Sequence, residues 1–387
     1  MRDFRLIRPQ VLLALWLLCS GAVRGQAVST AGDGRLSPPV RVGTSGQPDG
    51  ARSIGIDAAT RIRIERALEY LYRNQNPEGY WTDRVGRKVQ ETYRGHVAPH
   101  IGVTALAGMA FLSSGTLPDE GVREKYCIAV RKALDYIMDH CEPNGFITAH
   151  GSRMYSHAFA TLFLAEAYGT GVYPEAERVR DSLKRATQLI VTAQNSTGGW
   201  RYLPGAEDAD MSITVCQVFA LRGARNVGIY VPRATIDRAI RYVKASFVRE
   251  SATRGAFQYQ IDPNYPGAMS RCSFALTACG VATLCGAGEY NAPEVKLGLQ
   301  YLWDMRPRKD IAQDRFDYFY AHYYAAQAAL QASGPYWTAW YETTKRELLA
   351  LQEADGSWTD LVGSNYATAM AAIILQLPNQ YLPIMEN

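Results

Sequence analysis

This sequence of 387 residues carries little net charge and has no apolar run long enough to cross a membrane. Its formal charge of +4 falls to +1 if residues 1–27 are removed, because four arginines and one aspartate leave with them. So small a charge gives no electrostatic reason to expect nucleic acid as a partner. The sequence identifies no protein partner, and peripheral attachment to a membrane stays an open alternative.

The sequence also lacks the cysteine and histidine spacings that build zinc sites, such as CxxC. Six of its seven cysteines lie beyond the N-terminal segment, most of them inside apolar helical runs. A buried free thiol is the common state of cysteine in such surroundings. We therefore predict neither a metal nor a cofactor.

Residues 1–27 have the features of a cleaved export signal. Three arginines in residues 2–8 precede the apolar run 11–18, and a small-x-small cleavage site follows at 25–27. The apolar run is too short to serve as a membrane span. These features predict an exported protein, located in the periplasm, in the cell envelope or outside the cell.

Residues 28–56 are rich in glycine, serine and proline and carry no aromatic side chain. A segment of this composition buries too little apolar surface to offset the entropy that ordering would cost. We therefore predict a disordered tether over residues 28–56 and one folded domain over residues 57–387.

Two kinds of predicted helix alternate from residue 62 onward. The charged kind has apolar residues at i, i+3, i+4 and i+7 and charged residues on the opposite face, as in a helix with one buried side. Its six segments are 62–75, 123–140, 178–194, 236–250, 293–306 and 340–352. The uncharged kind is apolar on every side and must be surrounded by protein. Its six segments are 104–112, 159–165, 213–221, 274–288, 323–334 and 367–378.

Uncharged helices inside charged ones predict an all-α fold, a closed (α/α)6 toroid with a double ring of about twelve helices. An open solenoid is the competing architecture. Its inner helices line a solvated groove and would carry charge, which these segments mostly do not. In the closed ring all inner helices run in the same direction, so the residues that precede them converge on one rim.

Three turns between a charged and an uncharged helix share the pattern QxxxGxW. They are Gln75–Trp81, Gln194–Trp200 and Gln352–Trp358. The glycine suits a left-handed residue that ends a helix, and the glutamine can satisfy backbone groups left free there. We expect the tryptophan to pack over the joint between the two helices.

These turns and helix pairs resemble the prenyltransferase/squalene-oxidase repeat of terpenoid cyclases and protein prenyltransferases. The resemblance extends from about residue 60 to residue 378, and exported single-toroid relatives of squalene cyclase match it best. It implies an α/α toroid with a central apolar cavity that binds or transforms an isoprenoid-like or other hydrophobic ligand, as in terpenoid isomerases.

The N-terminal ends of the inner helices form the candidate site. A ring of helix N-termini presents unpaired N–H groups to a polar head, and the apolar interior below suits an apolar body. The candidate ligand-cavity residues are Tyr155, Phe159, Phe163, Phe219, Arg271, Tyr320, Tyr323 and Tyr366. His157 and His322, at two of the helix starts, are candidate acid–base catalysts, with a core histidine as the structural alternative.

The segment from Asp208 to Asp210 resembles the DxDD motif with which class II terpenoid cyclases protonate their substrates. The resemblance implies that Asp208 matches the first acid of the motif and that Asp210 matches the proton donor. Met211 stands where the last acid belongs, so the sequence leaves open whether the protein is an enzyme. An ordinary N-cap of the following helix is the alternative role for Asp210.

Three further alternatives follow from the same residues. Cys272 and His322 resemble two zinc ligands of protein prenyltransferases, but Ser270 stands in place of the aspartate, so no zinc is predicted. The protein could instead be a non-catalytic binding or interaction module of the cell envelope. The third alternative is an (α/α)6 carbohydrate-active enzyme, in which Tyr155, His157 and Arg271 would act.

Overall fold

The computed structural model of the protein describes residues 55–86, 95–115, 124–171, 173–261, 271–306, 318–382 and 384. The predicted signal segment and the predicted tether as far as residue 54 lie outside this part of the chain. The described residues form twelve α-helices and one two-stranded antiparallel sheet. No helix among them is long and apolar enough to cross a membrane.

Charged and uncharged helices alternate along the chain. The charged helices are α1 (Ala58–Arg73), α3 (Glu124–Asp139), α5 (Ala176–Thr192), α7 (Arg233–Ala245), α9 (Pro293–Asp304) and α11 (Gly334–Leu351). The apolar helices are α2 (Ile101–Leu112), α4 (Met154–Thr170), α6 (Met211–Asn226), α8 (Phe274–Gly286), α10 (Tyr318–Ala332) and α12 (Ser364–Gln376). The sheet strands β1 (Thr82–Val85) and β2 (His96–Pro99) lie between α1 and α2, and a 3-10 turn (Leu377–Asn379) follows α12.

The six apolar helices form a closed inner ring. Each packs against the next, from α2 through α4, α6, α8 and α10 to α12, and α12 packs back against α2. All residues of α2 are buried, as expected for a helix without a polar face. The predicted all-α toroid is confirmed, because an open solenoid would leave α2 and α12 apart.

The QxxxGxW turns are fixed to two neighbouring outer helices through side-chain hydrogen bonds. In the first turn, the indole N–H of Trp81 donates to the carbonyl of Leu71 in α1 over 2.8 Å. The amide of Gln75 donates to the carbonyl of Gly79 in its own turn and to that of Ala129 in α3, the next outer helix. The tryptophan therefore fixes the turn to the helix before it, and the glutamine to the outer helix after it.

The last of these turns closes the outer ring. The amide of Gln352 donates to the carbonyl of Arg63 in α1, nearly three hundred residues earlier in the chain. Gly356 has φ +97°, and a Cβ there would lie 2.6 Å from the carbonyl oxygen of Arg66. The prediction that this glycine ends its helix is wrong: α11 ends at Leu351, and the glycine lies in the turn where backbone meets backbone.

Candidate functional site

A cavity of about 570 Å³ lies at the N-terminal ends of the inner helices. Every inner helix contributes a capping or first-turn residue to its wall, namely His100, Tyr155, Ser212, Ser273, Tyr320 and Tyr366. Apolar side chains such as Leu106 and Phe159 line it, together with four arginines. The described part of its wall contains no aspartate or glutamate. The site is therefore a partly apolar chamber with an excess of positive charge.

Five of the eight residues predicted to line a cavity do line this one. They are Tyr155, Phe159, Arg271, Tyr320 and Tyr366. They come from α4, α10, α12 and the segment before α8, which are far apart in sequence. The convergence follows from the common direction of the inner helices.

The other three predicted cavity residues lie outside this cavity wall, and the prediction for them is corrected. The Phe163 ring fits against Gly108 of α2, where a Cβ would lie 2.3 Å from its Cζ atom. Phe219 packs edge-to-face on Tyr324, with ring centroids 5.3 Å apart. Tyr323 packs edge-to-face on Phe159 at 6.1 Å. These aromatic rings fill space in the barrel interior that the sequence prediction left for a ligand.

The two candidate histidines face the outer ring and do not line the cavity. His157 lies two residues after Tyr155, and residues two apart on a helix point in nearly opposite directions. Its Nδ1 accepts a hydrogen bond from the backbone N–H of Ile147, 3.1 Å away. Burial lowers the pKa of His157 to about 3, so the ring is neutral at ordinary pH. The prediction that His157 is an acid–base catalyst in the cavity is therefore corrected, because its side chain belongs to the core.

His322 lies in an aromatic layer between α10 and α11. Its ring centroid is 4.4 Å from that of Tyr318 and 6.1 Å from that of Trp340. Neither ring nitrogen has a hydrogen-bond partner among the described residues. Burial, followed by the charge of Arg306, lowers the pKa of His322 to about 3. The predicted catalytic role is corrected here too, because the neutral ring packs against the outer helix.

Asp210 is fully buried and caps the N-terminus of α6. Its Oδ1 accepts hydrogen bonds from the backbone N–H of Ile213 over 2.9 Å and from Oγ of Ser212 over 2.6 Å. Its Oδ2 pairs with Nη1 of Arg201 at 2.5 Å. Burial raises the pKa of Asp210, and the Arg201 guanidinium opposes that rise. The N-cap alternative describes this geometry, and the carboxylate itself does not reach the cavity wall.

A cluster of arginine and tyrosine side chains separates Asp210 from the cavity. Arg201 donates to the hydroxyl of Tyr259 over 2.8 Å and pairs through Nε with Asp208 at 3.0 Å. Its guanidinium also lies 4.4 Å from the ring centroid of Tyr202. Arg201, Tyr202 and Tyr259 line the cavity, but Asp208 does not. Sequence reasoning missed these three residues, although Arg201 and Tyr202 directly follow a QxxxGxW turn that leads onto the rim.

Ser212 joins Asp210 to two cavity tyrosines. The hydroxyl of Tyr155 donates to Oγ of Ser212 over 2.6 Å. The hydroxyl of Tyr320 donates to the carbonyl oxygen of Ser212 over 2.5 Å. Burial raises the pKa of both tyrosines well above 10, so both remain phenols at neutral pH.

A second buried aspartate lies on the other side of the rim. Oδ2 of Asp83, in β1, accepts a hydrogen bond from the backbone N–H of Tyr366 over 2.7 Å. Asp83 therefore caps α12 from a distant part of the chain. Burial is the main cause that raises the pKa of Asp83 to about 7, and the neighbouring Asp360 adds to it. The next residue, Arg84, lines the cavity, and its backbone N–H donates to the carbonyl of Val362.

Within the described ranges, no group of three or more histidine, cysteine, aspartate or glutamate side chains is arranged to hold a metal ion. The described cysteines are free thiols. The described cavity wall therefore offers hydroxyls, guanidiniums and the His100 imidazole, and the buried acids Asp83 and Asp210 lie behind it.

Comparison with known proteins supports the predicted resemblance. No family model matches the chain. Over 185 residues, 47% of this chain, it is 29% identical to a drimenyl diphosphate synthase from Streptomyces showdoensis. It is also 29% identical over 163 residues to a drimenyl diphosphate synthase from Streptantibioticus cattleyicolor. The aligned segments span 30% and 27% of these relatives, which is less than a third of their length.

Solved structures of the same fold include variants of the type II terpene cyclase MstE from Scytonema. One is a complex with geranylgeranyl dihydroxybenzoate, with a TM-score of 0.55 and 14% identity over 84% of this chain and 98% of that one. Another is a complex with merosterolic acid A, with a TM-score of 0.54 and 15% identity over 83% and 97%. The chain therefore has the α/α-toroid fold of these type II terpene cyclases.

The same helix arrangement also occurs in a carbohydrate-active enzyme. An inactive variant of the GH76A α-1,6-mannanase from Salegentibacter sp. HEL1_6, in complex with α-1,6-mannotriose, gives a TM-score of 0.56. Its identity to this chain is 8% over 84% of this chain and 100% of that one. A likeness at this level concerns the fold alone, so function has to be argued from the site.

Proposed function

We propose that this terpenoid-cyclase-like toroid binds an isoprenoid ligand in the cavity at the inner-helix N-termini. The apolar body lies against the side chains of the inner helices, such as Leu106 and Phe159, and its anionic head lies at the arginine rim. The observation that carries the proposal is the composition of the wall, where apolar side chains meet arginines and no described carboxylate. Sites for small amphiphiles combine an apolar wall with a few convergent polar groups in this way.

Two arginines at the rim are available for an anionic head. Arg201 is neutralised by Asp210 and Asp208, and Arg84 lies next to Asp83. Arg153 and Arg271 line the cavity and form no ion pair with a carboxylate among the described residues. The Arg271 guanidinium lies 4.8 Å from the ring centroid of Tyr259, which leaves its edges open to a ligand. A phosphate or carboxylate is the chemical group that such arginines bind best.

The relatives support this class of ligand. Drimenyl diphosphate, the product in the names of the curated relatives, combines an isoprenoid body with an anionic head. The MstE ligand geranylgeranyl dihydroxybenzoate combines an isoprenoid chain with a polar head. Export of the mature chain, which the N-terminal residues predict, is part of the proposal. The ligand would then be an isoprenoid present in the cell envelope or in the medium.

The test is a binding measurement with two probes that differ in the head alone, farnesyl diphosphate and farnesol. Native mass spectrometry and calorimetry should show that both bind and that the diphosphate binds at least about tenfold more tightly. Arg271→Ala should reduce the affinity for farnesyl diphosphate towards that for farnesol. Arg233→Ala, which removes an exposed arginine on α7, is the matched control and should change neither affinity. Failure of both probes to bind the wild-type protein would refute the proposal.

A carbohydrate-active enzyme is the competing function, and the shared fold of the α-1,6-mannanase is the observation in its favour. Glycoside hydrolysis needs two carboxyl groups that face each other across the bound sugar. The described cavity wall has none, and the two buried acids near it, Asp210 and Asp83, lie behind the wall on opposite sides of the rim and cap α6 and α12. We therefore expect no hydrolysis of α-1,6-mannan, and release of mannose oligomers would favour this competitor.

A further inference from the structure

Asp210 is close to the cavity but is sealed from it. Both carboxylate oxygens are occupied, Oδ1 by Ser212 and the N–H of Ile213, and Oδ2 by Arg201. The side chain is fully buried and does not contribute to the cavity wall. A ligand in the cavity therefore does not contact Asp210 directly and can act on it only through Ser212 or Arg201, which line the cavity.

Two hydroxyls connect Asp210 with the cavity. The Ser212 hydroxyl donates to Asp210 over 2.6 Å, and the Tyr155 hydroxyl is 2.6 Å from the Ser212 oxygen. Both Ser212 and Tyr155 line the cavity. The result is a continuous chain of short hydrogen bonds from the ligand space to a buried carboxylate.

The direction of this chain follows from counting protons. A serine hydroxyl has one proton, and Ser212 gives it to Asp210, which as a carboxylate can only accept. Tyr155 must therefore be the donor to Ser212. No other described residue donates to the Tyr155 oxygen, so its acceptor capacity is left for a ligand. Every proton in the chain points away from the cavity and towards Asp210.

We propose that Tyr155, Ser212 and Asp210 form a relay that removes a proton from the ligand in the cavity. A C–H or O–H bond of the ligand breaks, and its electron pair stays on the ligand. The released proton forms a new bond to the Tyr155 oxygen, the Tyr155 proton passes to Ser212, and the Ser212 proton passes to Asp210. The carboxylate becomes a carboxylic acid, and no other reactant is consumed.

The surroundings of Asp210 suit a proton acceptor. Arg201 keeps the carboxylate ionised while the relay is at rest. Burial raises the pKa of Asp210, which makes it a stronger base than an exposed aspartate. Arg271, which also lines the cavity, can stabilise negative charge left on an oxygen of the ligand. In this scheme Tyr155 touches the ligand and is the catalytic residue, whereas Ser212 and Asp210 act through it.

This inference rests on the proposed isoprenoid binding, and its test uses a probe that reports binding and proton removal separately. The probe is geranylacetone, an isoprenoid ketone whose carbon-bound protons next to the carbonyl exchange when a base removes them. In D2O the wild-type protein should accelerate the incorporation of deuterium, measured by mass spectrometry. Tyr155→Phe and Ser212→Ala should each lower the accelerated rate by about a hundredfold, the usual lower bound for loss of acid–base catalysis.

Both variants retain the Asp210 carboxylate as the cap of α6, so they preserve the fold better than a change at Asp210 itself. The control is Tyr136→Phe, which removes a buried hydroxyl that has no described partner and lies on the outer helix α3, outside the cavity wall. It should exchange at the wild-type rate. Affinity for geranylacetone is measured in the same samples, because a merely structural role of Tyr155 would lower affinity and exchange together.

The outcomes separate the two proposals. Binding of geranylacetone without faster exchange would overturn the relay and leave isoprenoid binding intact. Wild-type exchange in Tyr155→Phe would also overturn the relay, because the proton would then leave by another route. Absence of geranylacetone binding would overturn the relay, whereas the proposed function is refuted only if farnesyl diphosphate and farnesol also fail to bind. Exchange that is lost in the two relay variants at unchanged affinity is the expected result.

Discussion

Two buried aspartates on the rim cap inner helices, and they differ in their neighbours. Asp210 caps α6 and is paired with the guanidinium of Arg201. Asp83 contacts the N-terminus of α12, and its nearest charged neighbours are Asp360, which raises its pKa, and Arg84, which lowers it less. Burial acts on both carboxyls in the same sense. The comparison shows that the adjacent charge acts in opposite senses on the two acids, because Arg201 opposes the rise in the pKa of Asp210 whereas Asp360 adds to the rise in the pKa of Asp83.

The largest expected effect is the loss of the Asp210 carboxylate. Asp210→Ala leaves Arg201 without its buried partner and removes the cap of α6. We expect a loss of about 3–5 kcal/mol in the free energy of unfolding, as for other broken buried ion pairs. Urea denaturation at pH 7 checks this value. A loss below about 1 kcal/mol would contradict the account of Asp210 as an ionised and paired cap.

Asp83 should make stability depend on pH in the opposite sense to an ordinary salt-bridged acid. Its pKa rises from 3.8 to about 7 on folding, so the folded state holds the proton more tightly than the unfolded chain does. This contribution is complete below about pH 4 and is lost as the pH rises towards 7. The free energy of unfolding should fall by an amount on the order of 3–4 kcal/mol over this pH range.

Denaturation midpoints at several pH values between 4 and 8 test this contribution. Asp83→Asn keeps an acceptor for the N–H of Tyr366 but does not titrate, so its stability should fall less over this interval. Asp181→Asn, on the exposed face of α5, is the control and should follow the wild-type curve. Equal slopes for wild type and Asp83→Asn would contradict the assignment.

A smaller effect should come from displacing Asp83 without changing it. A Cβ at Gly363 would lie 1.7 Å from Oδ1 of Asp83. Gly363→Ala should therefore push the carboxyl away from α12 and cost about 1–3 kcal/mol, as overpacking in a tight interior does. Gly286→Ala, whose Cβ would meet nothing closer than 3.6 Å, is the matched control. Thermal unfolding that shifts equally in both variants would contradict the proposed contact.

The smallest effect is expected at Asp208. Its side chain is 36% exposed and pairs with Nε of Arg201, which remains bound to Asp210 when Asp208 is changed. Asp208→Asn should cost less than about 1 kcal/mol, the usual range for a pair open to solvent. A loss as large as that of Asp210→Ala would show that the two aspartates act as one unit, which the difference in their burial does not predict.

The double ring and the location of the rim could be predicted because both follow from patterns along the chain. Uncharged helices such as α2 have to be surrounded, and strict alternation with charged helices gives all of them one direction. Tyr155, Tyr320 and Tyr366 were placed on the rim by this reasoning alone. Their positions depend only on being near the start of an inner helix.

The face that each inner helix turns inward could not be predicted. Tyr155 and His157 are neighbours on α4, yet one lines the cavity and the other packs towards the outer ring. An amphipathic helix shows its buried side through its polar face, but α4 is apolar all round and offers no such signal. The assignment of His157 and His322 to the site failed for this reason.

The amino-acid sequence by itself determined the twelve helices, the pairing of inner with outer helices and the end of the barrel at which polar residues gather. These features depend on periodicity and on turn residues, which act over a few positions. The tertiary structure alone decided that Phe163 fills the space beside Gly108, that Arg201 neutralises Asp210, and that Asp83 reaches the start of α12. Contacts of this kind depend on the shape of facing surfaces and on charges that meet only after the ring has closed.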